Sequence, residues 1–330
     1  MKKVRALFAV GFAGMLAIVF SPIGTPAKKD VAREGPPVIW RDPQNVGKRD
    51  LVYGPGGKEH QPQGPYQFQR EDTGGTNLKF EVKDAAGILW NVKVDEEAGP
   101  ETAAARLVWA AGYFATENYF LPVMRVENIK HLSRGNGKVS GDGTVKNVRL
   151  KRHLDSQQKV GSWQWGDNPF KNTREWNGLR VMMALINNWD LKDMNNSIYQ
   201  VLGEHPEQRY YVSDLGASFG PTALGHGKND PDAYVKSKWI GKVSTETVDF
   251  NVPGSPAFHR LFYIAETRRL GYRWIGRGIP VADARWIGQL LEKLSPAQIR
   301  DAFRSAGYTP QQVELLSAEL QRRIGTLAAL

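Results

Sequence analysis

Cysteine is absent from this chain of 330 residues. Its absence excludes disulfide bonds, thiolate metal sites and a lipid-bearing N-terminal cysteine. The six histidines show no paired spacing typical of a zinc site, and no internal repeat is visible. Apolar residues, in contrast, are plentiful: 41% of the chain is hydrophobic and 10% is aromatic. This composition allows a sizeable core in one large domain or two closely packed ones.

Long hydrophobic runs are also scarce, and the most prominent one lies near the start of the sequence. Three basic residues precede an uncharged, mostly apolar run at residues 6–20, and small residues and prolines follow up to Ala27. This run is shorter than the roughly 20 residues that a membrane-spanning helix needs. Residues 1–27 are therefore predicted to be an export signal cleaved near Ala27, with a retained anchor as the alternative. In either case we expect the folded part to lie outside the cytoplasm, periplasmic or secreted. If the signal is cleaved, the mature chain should have no transmembrane span.

The net charge of +10 is concentrated in one region of the chain. Residues 130–180 contain eleven lysines or arginines and only four acidic residues. Such a region suits an acidic or envelope-associated partner, and nucleic acid is the less favoured partner. The alternative is that these charges are simply solvated on strands and loops.

The first half of the sequence indicates an extended arm followed by a β-rich unit. Residues 28–70 are rich in proline, glycine and charge, which predicts an arm with little regular structure. Residues 71–154 show the alternation typical of strands at 79–84, 88–94, 118–129 and 144–154. Gly99, Pro100 and Glu101 predict the start of a helix between the second and third of these strands.

The second half, residues 155–330, is predicted to be mostly helical. An irregular connection at 155–174 precedes a buried helix at 174–187 with Thr173 as its N-cap. A strand pair is predicted at 197–202 and 208–213, followed by a long glycine- and proline-rich loop at 216–256. Ser295 and Thr309 are predicted to cap two C-terminal helices. The fold class is therefore α+β, with a small β-rich N-terminal lobe and a mostly helical C-terminal lobe.

The polar stretch that follows the predicted buried helix indicates phosphoryl-transfer chemistry. Asp190 in a tight turn is suited to accept or orient the proton of an acceptor hydroxyl, and Lys192 could approach the transferred phosphate. Asn195 and Asp214 offer hard oxygen ligands of the kind that magnesium takes. The competing interpretation is an Asx-rich loop whose side chains cap the backbone.

Two further groups of residues would complete a phosphate site. Gly74, Gly75 and Thr76 precede a predicted strand, where their backbone N–H groups could contact phosphates, although such a sequence is also typical of a plain turn. Lys93 lies between two valines on a strand and would need a partner if it is buried. Glu101 is the predicted partner, and Glu97 is the second choice.

Alternatively, Lys93 is an exposed strand lysine and the glutamate merely caps a helix. A hydrolase is disfavoured: residues 216–220 have the Gly-x-Ser-x-Gly spacing, but no acidic residue and histidine are arranged to complete a triad.

The stretch Trp189-Asp190-Leu191-Lys192-Asp193-Met194-Asn195 resembles the catalytic loop of protein kinases. Asp214-Leu215-Gly216 resembles their magnesium-binding Asp-Phe-Gly. The Asn188-x-Asp190 opening and the compact glycine loop are more similar to the HipA and phosphatidylinositol-kinase branches. The resemblance implies an atypical kinase-like, two-lobed fold, with ATP between the lobes and magnesium held by Asn195 and Asp214.

The chain also departs from the protein-kinase pattern. No His-Arg precedes Asp190, and no Ala-Pro-Glu follows Asp214-Leu215-Gly216. The glycine loop lacks the three-glycine form. These differences argue against protein-kinase substrate recognition and against activation by phosphorylation.

The sequence thus predicts an exported, ATP- and magnesium-dependent phosphotransferase with its acceptor and oligomeric state left open. One alternative is a catalytically inactive kinase-fold protein that binds or scaffolds in the envelope, through residues 130–180 and the aromatic residues Trp163, Trp165 and Phe170. Another alternative is a binder of anionic polymers with an unrelated fold.

Overall fold

A computed structural model describes residues 32–74, 77–129, 132–188, 190–220, 229–251 and 271–330. These residues belong to the unit Ala32–Leu330, and the predicted export signal at residues 1–27 lies outside the described residues. The strands are β1 (Pro37–Val38), β2 (Tyr66–Asp72), β3 (Lys79–Lys83), β4 (Leu89–Val94), β5 (Asn118–Glu127), β6 (Thr144–Arg152), β7 (Gln157–Gly161), β8 (Asn196–Val201), β9 (Glu207–Val212), β10 (Ile240–Val243), β11 (Thr247–Phe250) and β12 (Ile279–Pro280). The described helices are α1 (Ala98–Ala110), α2 (Arg174–Leu185), α3 (Pro231–Lys236), α4 (Val281–Leu291), α5 (Pro296–Arg304) and α6 (Pro310–Ala328).

Five strands close into a barrel in the order β2-β3-β4-β6-β5. Neighbouring strands are antiparallel, except for β2 and β5, whose parallel pairing closes the barrel. Because side chains alternate between the two faces of a strand, every second residue enters the barrel interior. The interior is filled by buried apolar side chains that include Phe80, Val82, Trp90, Val92, Val148 and Leu150.

Helix α1 lies between β4 and β5 in the chain and packs on the outside of β5 and β6. Its many alanines allow close packing, and all but one of its residues are buried. Its apolar residues join a second hydrophobic core, which also contains residues of α2, the second sheet and the C-terminal helices. The chain therefore has one core inside the barrel and another in the remainder.

A second sheet has the order β1-β9-β8-β7. The predicted pair β8 and β9 is confirmed as an antiparallel hairpin. Strand β7 lies inside the connection at 155–174 that was predicted to be irregular, and β1 lies inside the predicted arm. Both strands obtain their backbone hydrogen bonds from distant partners, β8 and β9, so local sequence patterns did not reveal them.

The helical part begins with α2, and its predicted N-cap is confirmed because the Thr173 hydroxyl accepts a hydrogen bond from the Trp176 N–H at 3.2 Å. Helices α5 and α6 each begin with a capping box, as Ser295 and Thr309 predicted. The region predicted as one long loop at 216–256 was partly wrong, since it contains α3 and the β10–β11 hairpin.

The predicted α+β class is confirmed, with a β-rich lobe followed by a mostly helical one. Strand β2 lies across the predicted boundary between residues 70 and 71, because its first residues pair with β5 to close the barrel. Within the described ranges, no helix combines the length and apolar character that crossing a membrane would require.

Candidate active site

Lys93 is the centre of a buried ionic cluster on the outer face of the barrel. Its neighbours Val92 and Val94 enter the barrel core, so the lysine points outward, toward α1. The ammonium Nζ lies 2.7 Å from Oε2 of Glu97 and 2.9 Å from Oε2 of Glu101. The predicted partner Glu101 and the second choice Glu97 are therefore both in contact with Lys93.

The third carboxylate on Lys93 comes from the second sheet. Oδ1 of Asp214, which follows the end of β9, lies 3.2 Å from Nζ. The lysine side chain is only 5% exposed, and burial alone would lower its pKa. The three carboxylates outweigh burial and raise the pKa of Lys93 above its ordinary value, so the lysine is charged at neutral pH.

Arg149 fixes Glu101 from the opposite side. It lies on β6 directly opposite Lys93 of β4, and its Nη2 contacts Oε1 of Glu101 at 3.0 Å. Arg149 itself is buried, and the sequence interpretation missed it. The signal was present, because Arg149 alternates with the core residues Val148 and Leu150 just as Lys93 does with its valines.

Asp214 is held at the junction of strand and turn. Its Oδ1 also accepts a hydrogen bond from the Gly216 N–H at 3.4 Å. Burial would raise the pKa of Asp214, but the charge of Lys93 and these hydrogen bonds lower it below its ordinary value. The side chain is nevertheless 42% exposed, so the carboxylate is accessible to solvent.

The side-chain amides of two asparagines bind the backbone of the predicted catalytic loop. The side chain of Asn188 accepts from the Asp190 N–H at 3.0 Å, and Asn195 Nδ2 donates to the Asp190 carbonyl at 2.8 Å. Leu191 is buried in the second core and anchors the loop. The Asx-rich interpretation thus describes the two asparagines correctly. The Asp190 carboxylate, in contrast, forms an ion pair with Lys192, in which Oδ1 lies 2.8 Å from Nζ.

Pairing of β8 with β9 brings the two proposed metal ligands to neighbouring positions. The Ser213 N–H donates to the Asn195 carbonyl at 2.8 Å, and Asp214 is the next residue. Among the described residues, no donor contacts Asn195 Oδ1 or Asp214 Oδ2. Two such oxygens suit magnesium, which usually takes one or two protein ligands besides phosphate oxygens and water. No cluster of three or more His, Cys, Asp or Glu suitable for a metal occurs in the described ranges.

The predicted glycine loop is described only in part, since Gly75 and Thr76 lie outside the described residues. The Gly74 N–H donates to Oδ1 of Asp72 at 2.9 Å and is therefore already engaged. Directly after the loop, Asn77 Nδ2 donates to Oε2 of Glu97 at 2.6 Å. The loop is thereby connected to the carboxylate cluster around Lys93.

A segment between β5 and β6 packs against the same loop. Ser133 binds Glu71 through its N–H and its hydroxyl, both at 2.8 Å. Arg134 donates to the carbonyls of Asp72 and Gly74 at 2.9 and 3.2 Å. The sequence interpretation did not anticipate this contact, which supports the base of the glycine loop.

The alternative in which residues 130–180 form a binding surface stays a hypothesis, and several residues of this region are engaged within the fold. Lys138 is paired with Asp95, and Arg152 contacts Glu117 at 3.2 Å. Trp163 and Trp165, expected on that surface, are instead buried in the second core. The Trp163 indole N–H donates to a backbone carbonyl of β9 at 2.8 Å, which accounts for its burial.

Comparison with protein-family models gives no match, and comparison with curated protein sequences gives none. Among solved structures, the chain is similar to the Helicobacter pylori proinflammatory kinase CtkA, with a TM-score of 0.49, 10% identity, and coverage of 81% of this chain and 98% of that chain. It is also similar to the Golgi casein kinase with Mn/ADP bound. The TM-score is 0.38 and the identity is 10%, with 81% of this chain and 72% of that chain covered. For a second structure of the Golgi casein kinase, the TM-score is 0.36 and the identity is 11%, with 81% of this chain and 73% of that chain covered.

Proposed function

We propose that the chain is a kinase-like phosphotransferase that uses ATP and magnesium. The observation that supports this most directly is the set of contacts at Lys93, which binds Glu101 of α1 and the strand-end residue Asp214 at once. Kinase-fold enzymes require a lysine–glutamate pair of this kind, together with an aspartate that binds magnesium near the phosphates. Phosphoryl transfer needs charge and positioning, and this cluster offers both.

Lys93 can provide a positive charge for a phosphate only if one of its three carboxylates moves away. Glu101 is held in place by Arg149, and Glu97 is held by Asn77. Asp214 makes the longest of the three contacts and is the most exposed. We therefore expect Asp214 to exchange Lys93 for the metal, with Asn195 as the other ligand. Magnesium, when bound, neutralises negative charge on the phosphates.

Asp190 is the base in this proposal. The acceptor hydroxyl would lose its proton to the Asp190 carboxylate while its oxygen forms a bond to the γ-phosphorus. The bond between that phosphorus and the bridging oxygen then breaks, and ADP leaves with the electron pair. Lys192, 2.8 Å from Asp190, orients the carboxylate and supplies positive charge beside the transferred group.

Nucleotide binding is tested by thermal unfolding with and without magnesium-ATP. The unmutated protein should melt at a higher temperature with the nucleotide, and Asp214→Ala should remove this shift. The variant Asp190→Ala should keep the shift but lose phosphoryl transfer. An unmutated protein that shows no shift would exclude nucleotide binding, and turnover unchanged in Asp190→Ala would exclude the role of Asp190.

The proposal extends to action outside the cytoplasm, toward an acceptor that is not yet defined. Support for export comes from the sequence of residues 1–27 alone. N-terminal sequencing of the exported protein should begin near residue 28; detection of residue 1 as the N-terminus would contradict cleavage. Incubation of envelope fractions with labelled ATP, using Asp190→Ala as the control, would identify the acceptor as protein, lipid, sugar or small molecule.

A further inference from the structure

We propose that Glu97 is a positioning residue that couples Asn77, near the start of β3, to Lys93. This inference rests on the proposed function, because it assigns Glu97 a part in nucleotide binding. Glu97 lies one helical turn before Glu101, the residue that the kinase resemblance implies as the partner of the lysine. The role suggested for Glu97 differs from that of Glu101, and the difference follows from what each glutamate contacts.

A single oxygen of Glu97 joins two elements of the site. Oε2 accepts from Asn77 Nδ2 at 2.6 Å and lies 2.7 Å from Nζ of Lys93. Asn77 lies just before β3, and Lys93 lies on β4, the strand paired with β3. Since both donors approach the same atom, a displacement of Asn77 changes the position of the acceptor of Lys93.

The side chain of Glu97 is not required to cap the helix. Glu97 occupies the N-cap position of α1, yet its side chain makes no capping hydrogen bond. The residue is also buried, and a buried carboxylate must be stabilised by polar partners. Its polar contacts to Lys93 and Asn77 lie in the cleft and involve residues of the site.

Glu97 also packs against the segment that carries Asp214. A β-carbon added to Gly216 would lie 2.8 Å from Cβ of Glu97 and 2.9 Å from Oε2. Only a glycine allows this approach without a shift of the backbone or the glutamate. Glu97 thus contacts Asn77, the lysine strand and the Asp214-Leu215-Gly216 turn. Glu101, in contrast, is held by Arg149 on the barrel.

The coupling is measured with a double-mutant cycle on magnesium-ATP affinity. We expect Glu97→Gln and Asn77→Ala each to raise the Kd by about tenfold, because each disrupts a hydrogen bond to a charged group. The double variant should bind no more weakly than Glu97→Gln alone, because the two residues act through one contact. In steady-state kinetics, Glu97→Gln should raise the KM for ATP while kcat changes little.

The matched control is Glu96→Gln, which removes the same charge at the neighbouring, exposed position. It should leave the Kd unchanged. If the single effects of Glu97→Gln and Asn77→Ala multiply in the double variant, the coupling is refuted. A purely structural role would lower the free energy of unfolding without producing non-additivity in the Kd.

Two further outcomes are distinguishable. If the unmutated protein does not bind magnesium-ATP, the proposed function and this inference both fail. If it binds, but Asn77→Ala has the affinity of the unmutated protein, only the inference fails. The Asn77 variant therefore decides the question even if Glu97→Gln does not fold, since Asn77 is only half-buried and its side chain donates to Glu97.

Discussion

Oδ1 of Asp214 lies 3.2 Å from Nζ of Lys93, so the turn after β9 and a strand of the barrel meet in one ion pair. The pair is asymmetric, because the lysine side chain is 5% exposed and that of the aspartate is 42% exposed. Lys93 has two other, more buried carboxylates, whereas Lys93 is the cation nearest to Asp214. The pair is therefore easier to open from the side of Asp214.

Removal of the Lys93 ammonium should destabilise the protein as well as abolish nucleotide binding. Lys93→Ala leaves Glu97, Glu101 and Asp214 close together without their common cation. Breaking a buried ion pair in this way costs about 3 kcal/mol in the free energy of unfolding, measurable in urea. The exposed strand lysine Lys83 provides the control, since Lys83→Ala should change neither property. A Lys93→Ala protein of unchanged stability would contradict the buried cluster.

Lys192 should affect turnover far more than ATP affinity. Its ammonium contacts the Asp190 carboxylate, and both are placed on the acceptor side of the proposed site. Lys192→Ala should lower kcat by about a hundredfold, the order observed when one preorganised donor is removed from a transition state. The Kd for magnesium-ATP should remain within about twofold of the unmutated value, since the residue stabilises the transition state rather than the ground state.

The control for this experiment is Lys171→Ala, an exposed lysine outside the loop. An equal loss of ATP affinity and of kcat in Lys192→Ala would show that Lys192 binds the nucleotide in its ground state. Unchanged kcat would remove Lys192 from the proposed chemistry altogether.

Lys151 should make stability depend on pH in the alkaline range. It is partly buried on β6, and burial, followed by repulsion from Arg149, lowers the pKa of Lys151 to about 8. An unfolded lysine has a pKa of about 10.4. Between these values the unfolded chain retains a proton that the folded chain has lost, so the free energy of unfolding rises with pH.

The variant Lys151→Met removes this titration. We expect it to be more stable than the unmutated protein at pH 7, with an advantage that shrinks as the pH rises from about 8 toward 10. Denaturant unfolding at pH 7 and pH 9.5 measures the difference, with Lys146→Met as the exposed control on the same strand. An advantage that grows with pH would contradict the lowered pKa.

The elements that sequence patterns predicted well are those whose information is local. Alternation at 79–84 and 88–94 predicted the β3–β4 hairpin. The catalytic role of the loop that carries Asp190 and Asn195 stays a prediction. The asparagines were expected to serve either a metal or the backbone, and Asn195 has groups for both: its amide nitrogen binds the Asp190 carbonyl, and its oxygen is left for another partner.

The features that were missed depend on contacts between distant residues. Strand β7 has little alternation and is ordered by pairing with β8. Arg149 lies 48 residues after Glu101 in the sequence. Pairing of β4 with β6 in the barrel brings it opposite Lys93 and into contact with Glu101. The buried Trp163 similarly donates its indole N–H to the carbonyl of Tyr211, a residue 48 positions away in the sequence. Such contacts are properties of the assembled sheets and cannot be inferred from one segment.

The C-terminal helix α6 offers a prediction that is independent of the site. The Thr309 hydroxyl accepts from the Gln312 N–H at 3.3 Å, and Oε1 of Gln312 accepts from the Thr309 N–H at 3.0 Å. Replacing Thr309 with alanine removes one of these bonds and should lower the free energy of unfolding by about 1 kcal/mol. Thr309→Ser keeps the hydroxyl and should be nearly neutral.

Magnesium-ATP should raise the melting temperature of Thr309→Ala by the same amount as that of the unmutated protein, because α6 carries none of the proposed ligands. The comparison separates general loss of stability from loss of the site: Lys93→Ala should lower stability and remove the nucleotide-induced shift, whereas Thr309→Ala should only lower stability. A reduced shift in Thr309→Ala would show that the helical part and the nucleotide site are energetically coupled, in contradiction to their independence.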